Sequence, residues 1–175
     1  MVTQQSKTNI GKFHWRRSTP NDIVEVAENM RQEDIEEIRA YSGSEPKSSL
    51  IYCYFGSSPC MTMVGRKGNI MGMYGVMPVR KNIGKIWMLG HRTMTSDYQD
   101  VRAFLRNSPI ELNKFHMNYP ILFNFVDARN TTHVKWIKYM GFSIIQEHAT
   151  FGVEGRLFYE SVSYTHLTLP TTLQV

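Results

Sequence analysis

The run Pro120-Ile-Leu-Phe-Asn-Phe-Val126 is apolar except for one asparagine, and it constrains the fold more than any other feature of the sequence. A half-exposed strand alternates polar and apolar residues. An unbroken apolar run of this length instead reads as a central strand covered on both faces. Helical patterns flank it. On its N-terminal side Val101, Phe104, Leu105, Leu112 and Phe115 recur at helical spacing, with Ser96 or Asp97 placed to cap. On its C-terminal side Asn130 suits an N-cap, Thr131 to Met140 reads as a short helix, and Gly141 fits the C′ position, where positive φ ends a helix. A buried strand between two helices points to an α/β domain.

The remaining segments complete that reading. Phe13 to Arg17 is a strand, and Thr19-Pro20-Asn21-Asp22 opens a helix with Pro at the first position and an acid in the first turn. Ile23, Ala27, Met30, Ile35 and Ile38 form its apolar stripe, Glu25, Glu28, Glu33, Glu36 and Glu37 crowd the other face, and Gly43 to Pro46 ends it. Ser48 to Phe55 is a second helix. Cys60 to Val64, Ile70 to Val79 and Ile86 to Leu89 are strands, joined by a turn at Gly65 to Gly68 and a hairpin connection at Asn82 to Lys85. Gly72 and Gly75 weaken the second of these unless a backbone or ligand comes close there. Pro109 predicts that the next helix breaks, since Ser108-Pro109-Ile110-Glu111 is itself a capping box. Ser143 to His148 and Arg156 to Tyr159 close the chain as two strands. The order β, α, α, three strands, α, β, α, β, β predicts one mixed central sheet with helices on both faces, over residues 13–161, with residues 1–12 disordered.

Composition narrows the functional classes. A chain of 175 residues with 42% hydrophobic and 20% charged residues supports one packed core. No apolar run suits a bilayer, and Met1 to Lys12 lacks the apolar segment of a signal peptide. The net charge of +5 is scattered as Arg16–Arg17, Arg66–Lys67 and Arg80–Lys81, with no arginine-rich tract. A solvated basic surface is the expectation, and a nucleic-acid role rests on net charge alone. Cys53 and Cys60 lack the spacing of a metal site and read as free thiols, so no metal is expected. The histidines are dispersed, and no nucleophile–base arrangement can be specified.

The segment Asn130-Thr-Thr-His-Val-Lys-Trp-Ile-Lys-Tyr-Met-Gly141-Phe142 resembles the motif of GNAT acetyltransferases in which Asn opens a helix that ends in Gly-Phe. The element order resembles the same fold. That resemblance implies an acetyl-CoA site at a glycine-rich loop, whose N–H groups hold pyrophosphate at a helix N-terminus. The corresponding segment here, Leu89-Gly90-His91-Arg92-Thr93-Met94-Thr95-Ser96-Asp97, has one glycine. Its Asp97 puts a carboxylate where phosphate belongs, with Arg92 as the only cation. The tyrosine often found four residues before the Gly of Gly-Phe is replaced by Ile137, and Tyr139 lies about 200° away around the helix.

Ile86-Trp-Met-Leu-Gly90, together with Asn124 to Phe142, is most similar to GNAT-like proteins of tailed phages, some of them the small internal virion protein of short-tailed phages. This resemblance implies a non-catalytic protein with no cofactor, in the virion or host cytoplasm, whose partners are other virion or host proteins. The alternative is an active N-acetyltransferase using acetyl-CoA. No catalytic residue is assigned. The candidate ligand-binding residues are Trp87, Gly90, Arg92, Asn124, Asn130 and His133. Asn124 either bonds backbone across a splayed sheet or faces a pocket. His133 and Trp136, one turn apart, form either a ligand surface or a first-turn surface group beside a packing residue. Finally, Val162-Ser-Tyr-Thr-His-Leu-Thr-Leu-Pro-Thr171 has no charged residue and resembles a translated sequencing adapter of the kind left on metagenomic contigs. Residues 162–175 are therefore expected to be an artefactual tail after a natural end near Ser161.

Overall fold

Asp22 fixes where the first helix begins. Its Oδ2 accepts the Thr19 N–H at 2.7 Å and the Thr62 hydroxyl at 2.9 Å, while both carboxylate oxygens take the Arg16 guanidinium at 2.6 and 2.7 Å. One buried acid thus joins strand β1 (His14–Arg17), helix α1 (Pro20–Glu28) and strand β2 (Cys60–Val64). The structure is a computed structural model that describes residues 11–165. The remaining elements are α2 (Gln32–Ser42), α3 (Pro46–Gly56), β3 (Ile70–Arg80), β4 (Ile83–Gly90), α4 (Tyr98–His116), β5 (Ile121–Asp127), α5 (Thr131–Tyr139), β6 (Ser143–Phe151) and β7 (Arg156–Tyr164).

These strands form one mixed seven-stranded sheet in the order β1-β2-β3-β4-β5-β7-β6. Strands β1 to β4 are an antiparallel meander, β5 runs parallel to β4, and β7 inserts between β5 and β6. Ile23, Val26, Leu50, Met73, Trp87 and Leu89 pack one face under α1 and α3. Met71, Phe104, Leu112, Phe115, Val126 and Ile137 pack the other under α4 and α5. Helices cover both faces, as the apolar run in β5 requires. No described helix is long and apolar enough to cross a membrane.

Local expectations fail at four places, each for a visible reason. The helix expected from Thr19 to Gly43 is two helices. Asn29 to Arg31 leave the helical path to pair with the end of β4, through a Met30–His91 bridge, Arg31 N–H to Gly90 O at 2.9 Å, and Arg92 N–H to Asn29 O at 2.7 Å. Pro109 does not break α4. The Leu105 carbonyl, which its missing N–H leaves without a helical donor, takes the Tyr139 hydroxyl at 3.2 Å instead. Ser108 Oγ donates to Phe104 O, and Glu111 accepts from the Tyr74 hydroxyl, so the capping-box side chains are used elsewhere. The β3–β4 connection tightens from Asn82–Lys85 to a turn at Lys81–Asn82, with Asn82 at φ 69°. At the C-terminal end the boundary expected at Ser161 falls inside β7, where Val162 and Ser163 are buried and the His116 ring bonds Ser163 Oγ at 2.9 Å.

Two further points bear on expectation. Gly72 is required by backbone approach, since a Cβ there would lie 2.6 Å from Leu89 O and 3.0 Å from the Gly90 Cα. At the N-terminal boundary, Gly11 N–H donates to Arg66 O at 2.9 Å. The expectations for residues 1–10 and 166–175 lie outside the described residues.

Candidate functional site

Strands β4 and β5 pair at only three positions, Ile83 with Ile121, Gly84 with Leu122 and Lys85 with Phe123. Beyond them the strands splay, leaving Ile86 to Gly90 facing Asn124 to Asp127 across a gap. Asp34 and Glu37, one turn apart on α2, sit over that gap. Asp34 accepts the Gly90 N–H at 2.7 Å and the Asn130 amide at 3.1 Å. Glu37 Oε2 accepts the same amide nitrogen at 3.1 Å and the Asp127 N–H at 3.3 Å, and lies 3.8 Å from His133 Nδ1. Arg31 stands 3.7 Å from Asp34. The network therefore ties the end of β4 to the start of α5.

Local sequence explains the arrangement at α5. Asn130 is the N-cap, accepting the His133 N–H at 3.3 Å, and its 2% exposure leaves its amide nitrogen no partner but the two acids. His133, in the first turn, is carried inward rather than to solvent and is 4% exposed. Burial pushes its pKa down, but the Glu37 carboxylate, with Asp34 behind it, more than reverses this, so the net shift is upward. Asp34 shifts upward as well, because burial outweighs Arg31 and the Gly90 N–H. His133 Nε2 and Trp136 Nε1 are buried without a hydrogen-bond partner. Trp136 stacks on Phe104 at 5.6 Å between centroids.

The gap opens on both sides of the sheet. On the α2–α3 side a cleft of about 430 Å³ is lined by residues including Glu37, Tyr41, Lys85, Trp87, Asn124 and His133. On the α4–α5 side a groove of about 360 Å³ is lined by Arg31, Met94, Phe104, Trp136 and Tyr139 among others. A cavity of about 30 Å³ lies between them, and His133 and Met88 border all three spaces.

Most amides of the segment joining β4 to α4 are occupied. Gly90 N–H goes to Asp34, His91 N–H to Met71 O, and Arg92 N–H to Asn29 O. Thr93 N–H goes to the His91 ring, Met94 N–H to His91 O and Ser96 N–H to Thr93 O. Asp97 caps α4, its Oδ1 accepting from Gln99 N–H at 2.9 Å and Asp100 N–H at 3.3 Å. Arg66 at 3.1 Å and Lys67 at 3.4 Å pair with the same carboxylate. The Asp100 N–H foremost, with Gln99, Arg66 and Lys67, holds the Asp97 pKa below the usual range.

Solved structures share this architecture. A ribosomal-protein-S5-alanine acetyltransferase from Vibrio fischeri matches with a TM-score of 0.63 at 13% identity, over 88% of this chain and 93% of that one. The GNAT-family acetyltransferase of Streptococcus pneumoniae matches with a TM-score of 0.55 at 15% identity, over 87% and 99%. The chain has the GNAT acetyltransferase fold. Spermidine N-acetyltransferase from Vibrio cholerae, solved in complex with CoA and spermine, has the same fold, with a TM-score of 0.58 at 13% identity over 87% and 95%. No family model matches the sequence, and no curated protein matches it.

Within this GNAT fold the candidate residues separate. Trp87, Asn124 and His133 border the cleft, and Gly90 and Asn130 belong to the network beside it. Trp87 is also fixed through its indole N–H, which donates to Ser57 Oγ at 2.7 Å. Asn124 borders both the cleft and the small cavity, and Ser161 bonds its backbone carbonyl rather than its amide. Arg92 is not brought in: its side chain is exposed and lines none of the three spaces. Asp34, Glu37 and Lys85 were not identified from sequence. The available signal was Asp34 itself, four residues before Ile38 on the apolar side of α2.

Proposed function

We propose that the chain keeps the GNAT fold without an acyl-CoA pyrophosphate site, and acts without catalysis through protein contacts in a phage virion or infected cell. The observation that carries this reading is the Asp97 carboxylate at the N-terminus of α4, bound to the amides of Gln99 and Asp100. A pyrophosphate needs those donors, which the Asp97 carboxylate, itself paired with Arg66 and Lys67, already occupies. Most N–H groups from Gly90 to Ser96 also have protein acceptors. Ile137, at the position where the family often carries a tyrosine, is buried in the core. The virion assignment rests on the likeness of Ile86–Gly90 and Asn124–Phe142 to tailed-phage proteins.

Isothermal titration calorimetry against acetyl-CoA and CoA tests this. The expected result is no heat from folded protein, and micromolar binding overturns the proposal. A second reading, an active N-acetyltransferase, is favoured by one observation: the β4–β5 splay is open and holds His133 against Glu37, as an oriented base would be held. That reading requires acetyl-CoA to bind and free CoA to appear in proportion to an added amine.

A further inference from the structure

Three side chains lining the cleft of about 430 Å³ carry charge, namely Glu37, Lys85 and His133. Glu37 is engaged: its Oε2 faces His133 Nδ1 and takes the Asn130 amide and the Asp127 N–H. Lys85 is not balanced. Its ammonium donates to the Tyr41 hydroxyl at 2.8 Å and lies 4.4 Å from the Tyr41 ring centroid and 5.7 Å from that of Phe125, with no carboxylate at ion-pair distance among the described residues. The nearby Cys53 thiol supplies no counter-charge, because burial pushes its pKa up to about 12 despite Lys85. Glu37 is thus committed to His133, Asn130 and Asp127, and among the described residues Lys85 is the cleft cation that lacks a carboxylate partner.

The other unmet group has the same character. His133 Nε2 is buried, 4% exposed as a residue, and has no partner. Its Nδ1 side faces Glu37, so in the imidazolium form the free nitrogen is a donor. The upward shift of its pKa supports that form. Around these donors the walls are apolar and aromatic, formed by Tyr41, Trp87, Met88 and Phe125. A volume in this range with a few polar groups on an apolar lining is the usual shape of a small-molecule site.

We infer that the cleft binds a small organic carboxylate. Its anionic oxygens take Lys85 Nζ, its apolar body lies against Trp87 and Phe125, and His133 borders the same space. The rival on geometric grounds is an amine attracted to Glu37. Three groups already crowd one oxygen of that carboxylate, and an amine would bring its charge beside Lys85. The inference stands whether or not acyl-CoA binds.

The test is ligand-observed and protein-observed NMR on the full chain with a panel of aromatic and aliphatic carboxylates, each paired with its amine isostere. Carboxylates are expected to bind saturably at millimolar concentration and to shift the His133 ring and Trp87 indole resonances, while the amines do not. Lys85→Met keeps the aliphatic stem and is expected to weaken binding by about tenfold, the loss of one charge-assisted contact. Lys81→Met, on the exposed β3–β4 turn, should leave it unchanged. Absence of any carboxylate binding, equal or tighter binding of the amines, or indifference to Lys85→Met each overturns the inference. Acetyl-CoA in parallel keeps the two proposals distinct: its binding overturns the proposed function alone, and failure of the carboxylates overturns this one alone.

Discussion

Asn130 is the residue at which the network over the gap is most sensitive to a small change. Its side chain accepts the His133 N–H as the cap of α5, and its amide nitrogen donates to Asp34 and Glu37, both at 3.1 Å. Asn130→Ala loses a cap, about 1 kcal/mol, and two hydrogen bonds to charged acceptors, about 1.5–3 kcal/mol each. Water entering the vacated space recovers part of this, so about 3–5 kcal/mol of destabilisation is expected. With a urea m-value of about 2 kcal/mol/M, the midpoint falls by about 2 M. Two further variants divide the total. Asn130→Ser keeps the cap acceptor and loses the donors, so it should lie between alanine and wild type. Asn130→Asp also keeps the cap acceptor but places a third carboxylate beside two others. Crowding raises its folded-state pKa above the unfolded value of about 3.9. Its penalty is therefore fully present above the folded pKa and lifts as pH falls through it. Urea denaturation followed by tryptophan fluorescence, at neutral and acidic pH, reads all three. If Asn130→Asp is as stable as wild type at neutral pH, the donor role assigned to the amide is wrong.

Other perturbations test the surrounding structure. The raised folded-state pKa of His133 gives stability that is fully present below the unfolded value of 6.5 and lost as pH rises through the folded one. His133→Gln should flatten that part of the stability–pH curve, measured by urea midpoints from mildly acidic to mildly alkaline pH. Burial pushes the Asp22 carboxyl up, but Arg16 foremost, then the Thr19 N–H and Thr62 hydroxyl, bring it below its ordinary 3.8. Its contribution is present above that value and lost as pH falls through the lowered one, and Asp22→Ala should cost about 3 kcal/mol at neutral pH in equilibrium unfolding. Gly152 has φ 70°, and a Cβ there would lie 2.2 Å from Ala40 O. Gly152→Ala should destabilise the fold by about 1–2 kcal/mol of left-handed strain, plus the cost of displacing α2 from the β6–β7 turn, read as a lower Tm.

Periodicity made the helices and strands legible because each buries a face that repeats along the sequence. It could not show where a neighbouring backbone would compete. Asn29 to Arg31 carry no Gly or Pro, and pairing with Gly90 to Arg92, far along the chain, ends α1 there. At Pro109 the local signal was strong, yet a hydroxyl from Tyr139 on another helix supplied the missing donor. The site was legible in part for the same reason. Asn130 and His133 stand within a motif, whereas Glu37 looked like one more acid on a solvated face until the break at Met30 turned α2 over the sheet. The cap of α4 was legible as Ser96 or Asp97, since a cap acts on amides two and three residues away, and the structure selects Asp97.

The position of β7 determines when the sheet can be completed. It is the last described strand along the chain, yet it is internal, pairing with β5 from Ile121 to Asp127 on one side and with β6 on the other. During synthesis β5 and β6 both emerge first, and neither can close on the other without occupying the slot that β7 must fill. Among the described strands β6 has no other partner, so until Arg156 to Tyr164 arrives it presents both of its edges unpaired to them. The half of the domain that carries Asn130 and His133 therefore depends on a strand that comes late in the described chain. Seating β7 between β5 and β6 is a non-local closure of the kind that slows folding.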